Sequence, residues 1–218
     1  MFANFKQDCG GTWPAYVEHS FVRQIGDGTL PEASFRHYLK QDYLFLLHFA
    51  RAYGLAVFKA QALEDMLQAK AGLAAILDLE IGVHVKYCAG WGLSQEDLQR
   101  EPEATANLAY TRFLLERGLA GNLTDFHAAL TPCVVGYAEI GRHLAKAAGS
   151  VEANPYADWI AMYAGEEYQQ VARAQIAQLD KLCAQEQGSE RHRQLSETFT
   201  LATRLEAAFW DMALQCQL

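Results

Sequence analysis

Apolar residues recur at spacings of three and four along almost the entire chain, with no sustained alternation of period two and only five prolines to interrupt them. Such spacing lays apolar side chains along one stripe of a helix and predicts an all-α fold. The segment TLPEASFRHYL opens a helix by rule, with Thr29 as N-cap, Pro31 in the first turn and Glu32 three residues after the cap. Before it, IGDG at 25–28 ends a short N-terminal helix. Further helices are expected over roughly 62–88, 94–118, 124–148, 155–185 and 190–215, with breaks at AGWGLS, GLAGN, GSVEANP and QGS. No linker, repeat or low-complexity stretch divides residues 1–218, so one helical domain is expected.

A single domain of 218 residues buries roughly 70% of the surface its unfolded chain exposes, enough to enclose a dry pocket. The formal charge of −8 opposes phosphate backbones and anionic membrane surfaces, so nucleic acid is not an expected partner. The first residues, MFANFKQDCGG, lack the pattern of a signal peptide, and the most apolar segment, YLFLLHFARAYGLAVF, is broken by His48 and Arg51. No membrane association is expected. Five cysteines, Cys9, Cys88, Cys133, Cys183 and Cys216, are odd in number and form no CxxC pair. They read as reduced thiols in a cytoplasmic protein.

Three of the helical stripes carry a reactive group among apolar neighbours. Phe35, Leu39, Asp42, Phe45, Leu46, Phe49 and Tyr53 form one, with a carboxylate inside it. Leu195, Phe199, Ala202, Glu206, Phe209 and Ala213 form a second, again with a carboxylate. Phe126, Leu130, Cys133, Tyr137, Ile140 and Leu144 form a third, with a thiol. A lone inward carboxylate is more often half of a structural pair than a catalytic group, and a lone buried cysteine is usually inert. Three such groups flanked by Phe45, Tyr137 and Phe209 make a stronger case for a site. Pro132 stands beside the cysteine. It either kinks a long helix, freeing backbone groups around residues 128–133, or occupies the first position of a new one capped by Thr131, with Cys133 at a helix N-terminus; either arrangement is expected to bring unpaired N–H groups near the sulfur and favour its thiolate.

Other chemistries lack their residues. There is no Glu-x-x-His for a di-iron bundle, and Glu80 and His84 in EIGVH supply too few ligands for a metal site. Glycine-rich phosphate loops and a GxSxG elbow are also missing.

Several segments together resemble the TenA family of thiaminase II, or aminopyrimidine aminohydrolase, enzymes: FVRQIGDGTLPEASFRHYLKQDYLFLLHFARAY, AYTRFLLERGLAGNLTDFHAALTPCVVGYAEIG, YADWIAMYAGEEY and LEAAFWDMA. The resemblance implies a haem-oxygenase-like fold without haem, usually a homotetramer, with no cofactor and no metal. It implies that Cys133 in TPC is a nucleophile, Glu206 in LEAAFW an acid/base, and Asp42 in KQDY the carboxylate that holds an aminopyrimidine. Tyr110, Tyr137, Tyr163 and Phe209 are similar to the aromatic pocket of the family. Where many relatives carry a second tyrosine, three residues after the aspartate, this chain has Phe45 and so lacks one hydroxyl.

The function implied is a C–N hydrolase of thiamin salvage, acting on a small aminopyrimidine or on thiamin. Two other readings compete. A non-catalytic pyrimidine-binding regulator would need neither the thiol nor its carboxylate partner. A cofactorless oxidase of the same fold, like the pyrroloquinoline quinone synthases, would need a basic, histidine-rich pocket, whereas the inward groups here are acidic.

Overall fold

A computed structural model describes residues 1–147, 154–184 and 188–218. Its helices are α1 (Phe2–Asp8), α2 (Thr12–Val17), α3 (Ser20–Gly26), α4 (Glu32–Lys59), α5 (Leu63–Ala74), α6 (Ile81–Ala89), α7 (Gln95–Arg100), α8 (Thr105–Ala120), α9 (Leu123–Ala147), α10 (Ala157–Ala164), α11 (Glu166–Ala184) and α12 (Ser189–Gln215). A π-helical turn, Ala75–Glu80, joins α5 to α6, and no strand occurs among the described residues. The fold is all-α, as the periodicity requires.

Several boundaries differ from the sequence reading. The N-terminal region holds three short helices, of which only α3 ends at IGDG as expected. Thr29 does not cap α4: its hydroxyl donates to Asp27 Oδ1 at 2.6 Å, closing a local turn through Gly28, whose φ of +75° suits glycine. The helix expected over 94–118 is interrupted after Arg100, where Pro102 cannot donate a helical hydrogen bond. Gln41 of α4 holds the interrupted stretch, donating to the Pro102 carbonyl at 2.8 Å and accepting from the Ala104 N–H at 2.9 Å. Gly165 similarly divides α10 from α11. The expected helix ends at 148 and 185, most of the GSVEANP break and Gln187 of QGS lie outside the described residues.

Pro132 lies inside α9, so the alternative that made it the first residue of a new helix is corrected. What proline withdraws from a helix is its own N–H, which leaves a carbonyl and not an amide without a partner. The Thr131 hydroxyl donates to the His127 carbonyl at 2.6 Å, a back-bond that accompanies bent helices. Cys133 therefore lies in the interior of α9 and not at its N-terminus.

The chain separates into two compact units. The first comprises Met1–Pro31 and His127–Trp210; the second comprises Glu32–Phe126 and Asp211–Leu218. In the first, Trp13 stacks on Phe199 with ring centroids 5.7 Å apart, and Phe21 stacks on Trp210 at 4.8 Å. Glycines of α9 allow close approach. A Cβ on Gly136 would fall 2.1 Å from the Tyr16 ring, and one on Gly141 would fall 2.5 Å from the Tyr163 backbone carbonyl carbon. In the second unit α4 forms the spine, with Phe45 against Phe49 at 5.2 Å and Phe49 against Tyr53 at 5.3 Å. Gly72 of α5 leaves room for the Tyr53 ring, which a Cβ there would meet at 2.3 Å.

Gly141 thus sets how near α10 comes to α9, and backbone yields less readily than the tip of a side chain. Gly141→Ala is expected to destabilise the protein by about 1–3 kcal/mol, the usual cost of overpacking. Urea unfolding followed by circular dichroism measures it; an unchanged midpoint would show that α10 tolerates displacement.

Candidate active site

Every residue of the three stripes read from the sequence is buried. The carboxylates and the thiol go with them: Asp42 is 4% exposed, Glu206 2% and Cys133 9%. The structure places Cys133, Tyr137, Tyr163, Glu206 and Phe209 in the first unit and Asp42, Phe45 and Tyr110 in the second.

In the first unit aromatic rings pack along the helices that carry Cys133 and Glu206. Tyr137, one turn after Cys133 on α9, packs against Tyr163 of α10 with centroids 4.8 Å apart and against Trp210 of α12 at 5.3 Å. Trp159, one turn before Tyr163, lies 4.7 Å from it. The sequence singled out both tyrosines but neither tryptophan. The signal was in the helical spacing: Trp159 precedes Tyr163 by four residues, and Trp210 follows Glu206 by four.

In the second unit Phe45 packs against Tyr110 of α8 at 5.0 Å. Asp42, three residues before Phe45, is held by two side chains. The Tyr38 hydroxyl, one turn earlier on α4, donates to Oδ2 at 3.1 Å, and His84 Nε2 of α6 approaches the same oxygen at 2.6 Å. His84 Nδ1 lies 2.8 Å from the Glu80 carbonyl. Both ring nitrogens are engaged, and His84 links the Glu80 carbonyl to Asp42 in a hydrogen-bonded chain. Among the described residues no three His, Cys, Asp or Glu side chains gather to hold a metal ion. No helix among them is long and apolar enough to cross a membrane.

The charges of this cluster act on one another. Burial pulls the His84 pKa down, but the hydrogen bond and charge of Asp42, with the Glu80 carbonyl and carboxylate, outweigh it and the net shift is upward. Glu80, half-buried at the end of the π-turn, is pushed up to about 7 by burial and then by the negative charge of Asp42. Two of the other thiols are held protonated by burial: Cys9 is raised, and Cys88 reaches about 11. Cys216 is exposed.

The fold defines an all-α helical protein of the haem-oxygenase-like class, with a buried thiol and buried carboxylates. The chain belongs to the TENA/THI-4/PQQC family, whose model matches residues 7–216. It is 37% identical to an aminopyrimidine aminohydrolase of Halalkalibacterium halodurans over 92% of this chain and 89% of that one. The crystal structure of a TenA family transcription regulator from Silicibacter sp. is similar, with a TM-score of 0.92 and 42% identity, covering 98% of this chain and 96% of that one. A domain of heme oxygenase-like fold from Shewanella denitrificans superposes with a TM-score of 0.77 at 14% identity, over 99% of this chain and 92% of that one, a likeness of fold alone.

Glu80 supplies a pH prediction with a definite sign. Its pKa in the folded chain, about 7, lies above the ordinary 4.5, so folding favours the protonated carboxyl. The contribution of Glu80 to stability therefore falls as pH rises from 4.5 towards 7, and Glu80→Gln removes that fall. The stability of Glu80→Gln relative to wild type is expected to grow across that window by roughly 1–3 kcal/mol and then level off. Thermal melts of both proteins at a series of pH values check this; a constant offset would show that the carboxylate is fully hydrated.

Proposed function

We propose that the protein is a C–N hydrolase of thiamin salvage, an aminopyrimidine aminohydrolase or thiaminase II. It releases 4-amino-5-hydroxymethyl-2-methylpyrimidine from 4-amino-5-aminomethyl-2-methylpyrimidine, with thiamin as a second substrate. The observation that carries this reading is the burial of a thiol and a carboxylate, Cys133 and Glu206, in one aromatic unit of a chain that belongs to this family. The name of the relative from H. halodurans supports the substrate class. A non-catalytic binder has no use for that thiol and carboxylate.

The chemistry follows from the residue types. Asp42 accepts charge-assisted hydrogen bonds from the amidine edge of the protonated 4-aminopyrimidine, and the ring's positive charge makes it electrophilic. Cys133, as thiolate, adds to the ring carbon next to the substituted one. The electron pair so placed in the ring expels the substituent from the exocyclic carbon, with Glu206 giving the departing amine its proton. Water then adds to the exocyclic methylene, Glu206 takes a proton from it, and the thiolate is eliminated to restore the aromatic ring. Tyr110, Tyr137, Tyr163 and Phe209 orient the flat ring by stacking and edge contacts. Phe45 supplies ring surface without a hydroxyl, so discrimination among pyrimidines at that edge rests on shape. The same family resemblance leads us to propose a homotetramer that works in the cytoplasm without a cofactor.

Incubation with the aminomethyl pyrimidine, and separately with thiamin, should yield the hydroxymethyl pyrimidine, followed by mass. Cys133→Ala, a small residue replacing a small one, should keep the fold and lower kcat by on the order of 10³-fold or more. Near-normal turnover in that variant would dispose of the mechanism. Glu206→Gln should bind the product pyrimidine normally and turn over roughly 10²- to 10⁴-fold more slowly. Loss of fold at unchanged specific activity would make the carboxylate structural. Since Cys216 is exposed, alkylation of Cys133 is best followed in a Cys216→Ser background, where substrate should protect Cys133.

A further inference from the structure

The hydrogen-bonded chain from the π-turn to α4 is not accounted for by the catalytic roles above. We propose that His84 is a positioning residue for Asp42: its imidazolium holds Oδ2 and leaves Oδ1 as the acceptor offered to the ligand. This rests on the reading of Asp42 as the carboxylate that meets the pyrimidine.

Hydrogen-bond inventory gives the protonation pattern. A carbonyl oxygen only accepts, so the 2.8 Å contact with Glu80 puts a proton on His84 Nδ1. The 2.6 Å contact between Nε2 and Asp42 Oδ2 needs one further proton. The Tyr38 hydroxyl donates to that same oxygen at 3.1 Å. Two donors converging on Oδ2 suit a carboxylate and so place the proton on Nε2, with an imidazolium as the result. Oδ2 then has both of its in-plane positions taken by the protein. Oδ1 has no hydrogen-bond partner among the described residues, although the side chain is only 6% exposed. Oδ1 is not among the fully buried unpartnered polar atoms, so a donor from outside the protein can reach it. The open oxygen points to a ligand.

The π-turn fits this role. Wide turns of this kind inside helices concentrate at functional sites. Here it ends at Glu80, whose carbonyl orients the imidazole through Nδ1. The charged groups acting on the ring are Asp42 from α4 and Glu80 from the π-turn, both acidic, and together they favour the imidazolium. Second partners that fix the orientation of a binding group are typically worth 10- to 100-fold in affinity.

Two amides separate the two contacts of the ring. Glutamine places its NH₂ near the position of Nε2 and can still donate to Asp42; asparagine places its NH₂ near Nδ1 and reaches only the Glu80 carbonyl. Titration of 4-amino-5-hydroxymethyl-2-methylpyrimidine by calorimetry is expected to show His84→Asn binding about 10- to 100-fold more weakly and His84→Gln within about fivefold of wild type. The loss should appear in KM, with the rate of Cys133 alkylation unchanged. Equal affinity in the asparagine variant, or no recovery in the glutamine variant, overturns the proposal. Asp42→Asn in the same titration separates this from the functional reading. If Asp42→Asn binds normally, the assignment of Asp42 to the ligand has failed; if it binds weakly while His84→Asn does not, only the positioning role has failed. Should His84→Asn not fold, the side-chain nitrogen resonances of His84 in the wild-type protein decide: two protonated nitrogens at pH 7 support the imidazolium, and an unprotonated ring nitrogen overturns it.

Discussion

Asp42 sits in the middle of a helix of 28 residues, with Phe45, Leu46 and Phe49 following it towards the core. A carboxylate withdrawn from water that far costs several kcal/mol unless donors replace its hydration. The replacements come from two directions. Tyr38 supplies one from the same helix, a turn earlier, and His84 supplies the other from α6. The position of α6 is therefore tied to the carboxylate, and the π-turn before it carries the carbonyl that orients the imidazole. Helix register, turn type and the charge of the cluster all answer to one buried anion.

The unit containing Cys133 meets a different constraint, since a thiol is easily buried but an ionisable carboxylate such as Glu206 is not. Here the surroundings are chiefly aromatic. Trp210 receives Phe21, Tyr16 and Tyr137, while Tyr137 also meets Tyr163 and Trp159. Such rings give a rigid apolar wall with hydroxyls at its edge, the combination that suits a flat heteroaromatic ligand. Gly136 and Gly141 make the wall possible by letting a ring on one side and a backbone on the other come close to α9.

Period and residue type made most of this legible. The three stripes were readable because a helix repeats its facing every 3.6 residues, and each of their members proved to be buried. The break at Gly165 is less visible, because the apolar pattern runs on past it while the backbone does not, whereas Pro102 stands in the polar stretch QREPEAT. Pro132 shows the converse. The same residue type that ends a helix within the polar QREPEAT is absorbed inside α9, where Pro132 lies in the apolar run AALTPCVV. The role of His84 is not legible in the sequence, because periodicity describes neighbours along a helix, whereas its decisive contact is with a residue 42 positions away. Glu80 and His84 were rightly seen as a pair, but the pairing runs through a backbone carbonyl and not through two side chains aimed at an ion.

The central claim is that Cys133 forms a covalent bond to the pyrimidine during turnover. Rapid acid quench of the enzyme with the aminomethyl pyrimidine, followed by peptide mass analysis, tests it most directly. The account predicts a transient adduct of the pyrimidinylmethyl fragment on the peptide containing Cys133, rising and decaying within one turnover. Hydroxymethyl pyrimidine produced at the full rate with the Cys133 peptide unmodified at every time point would contradict it.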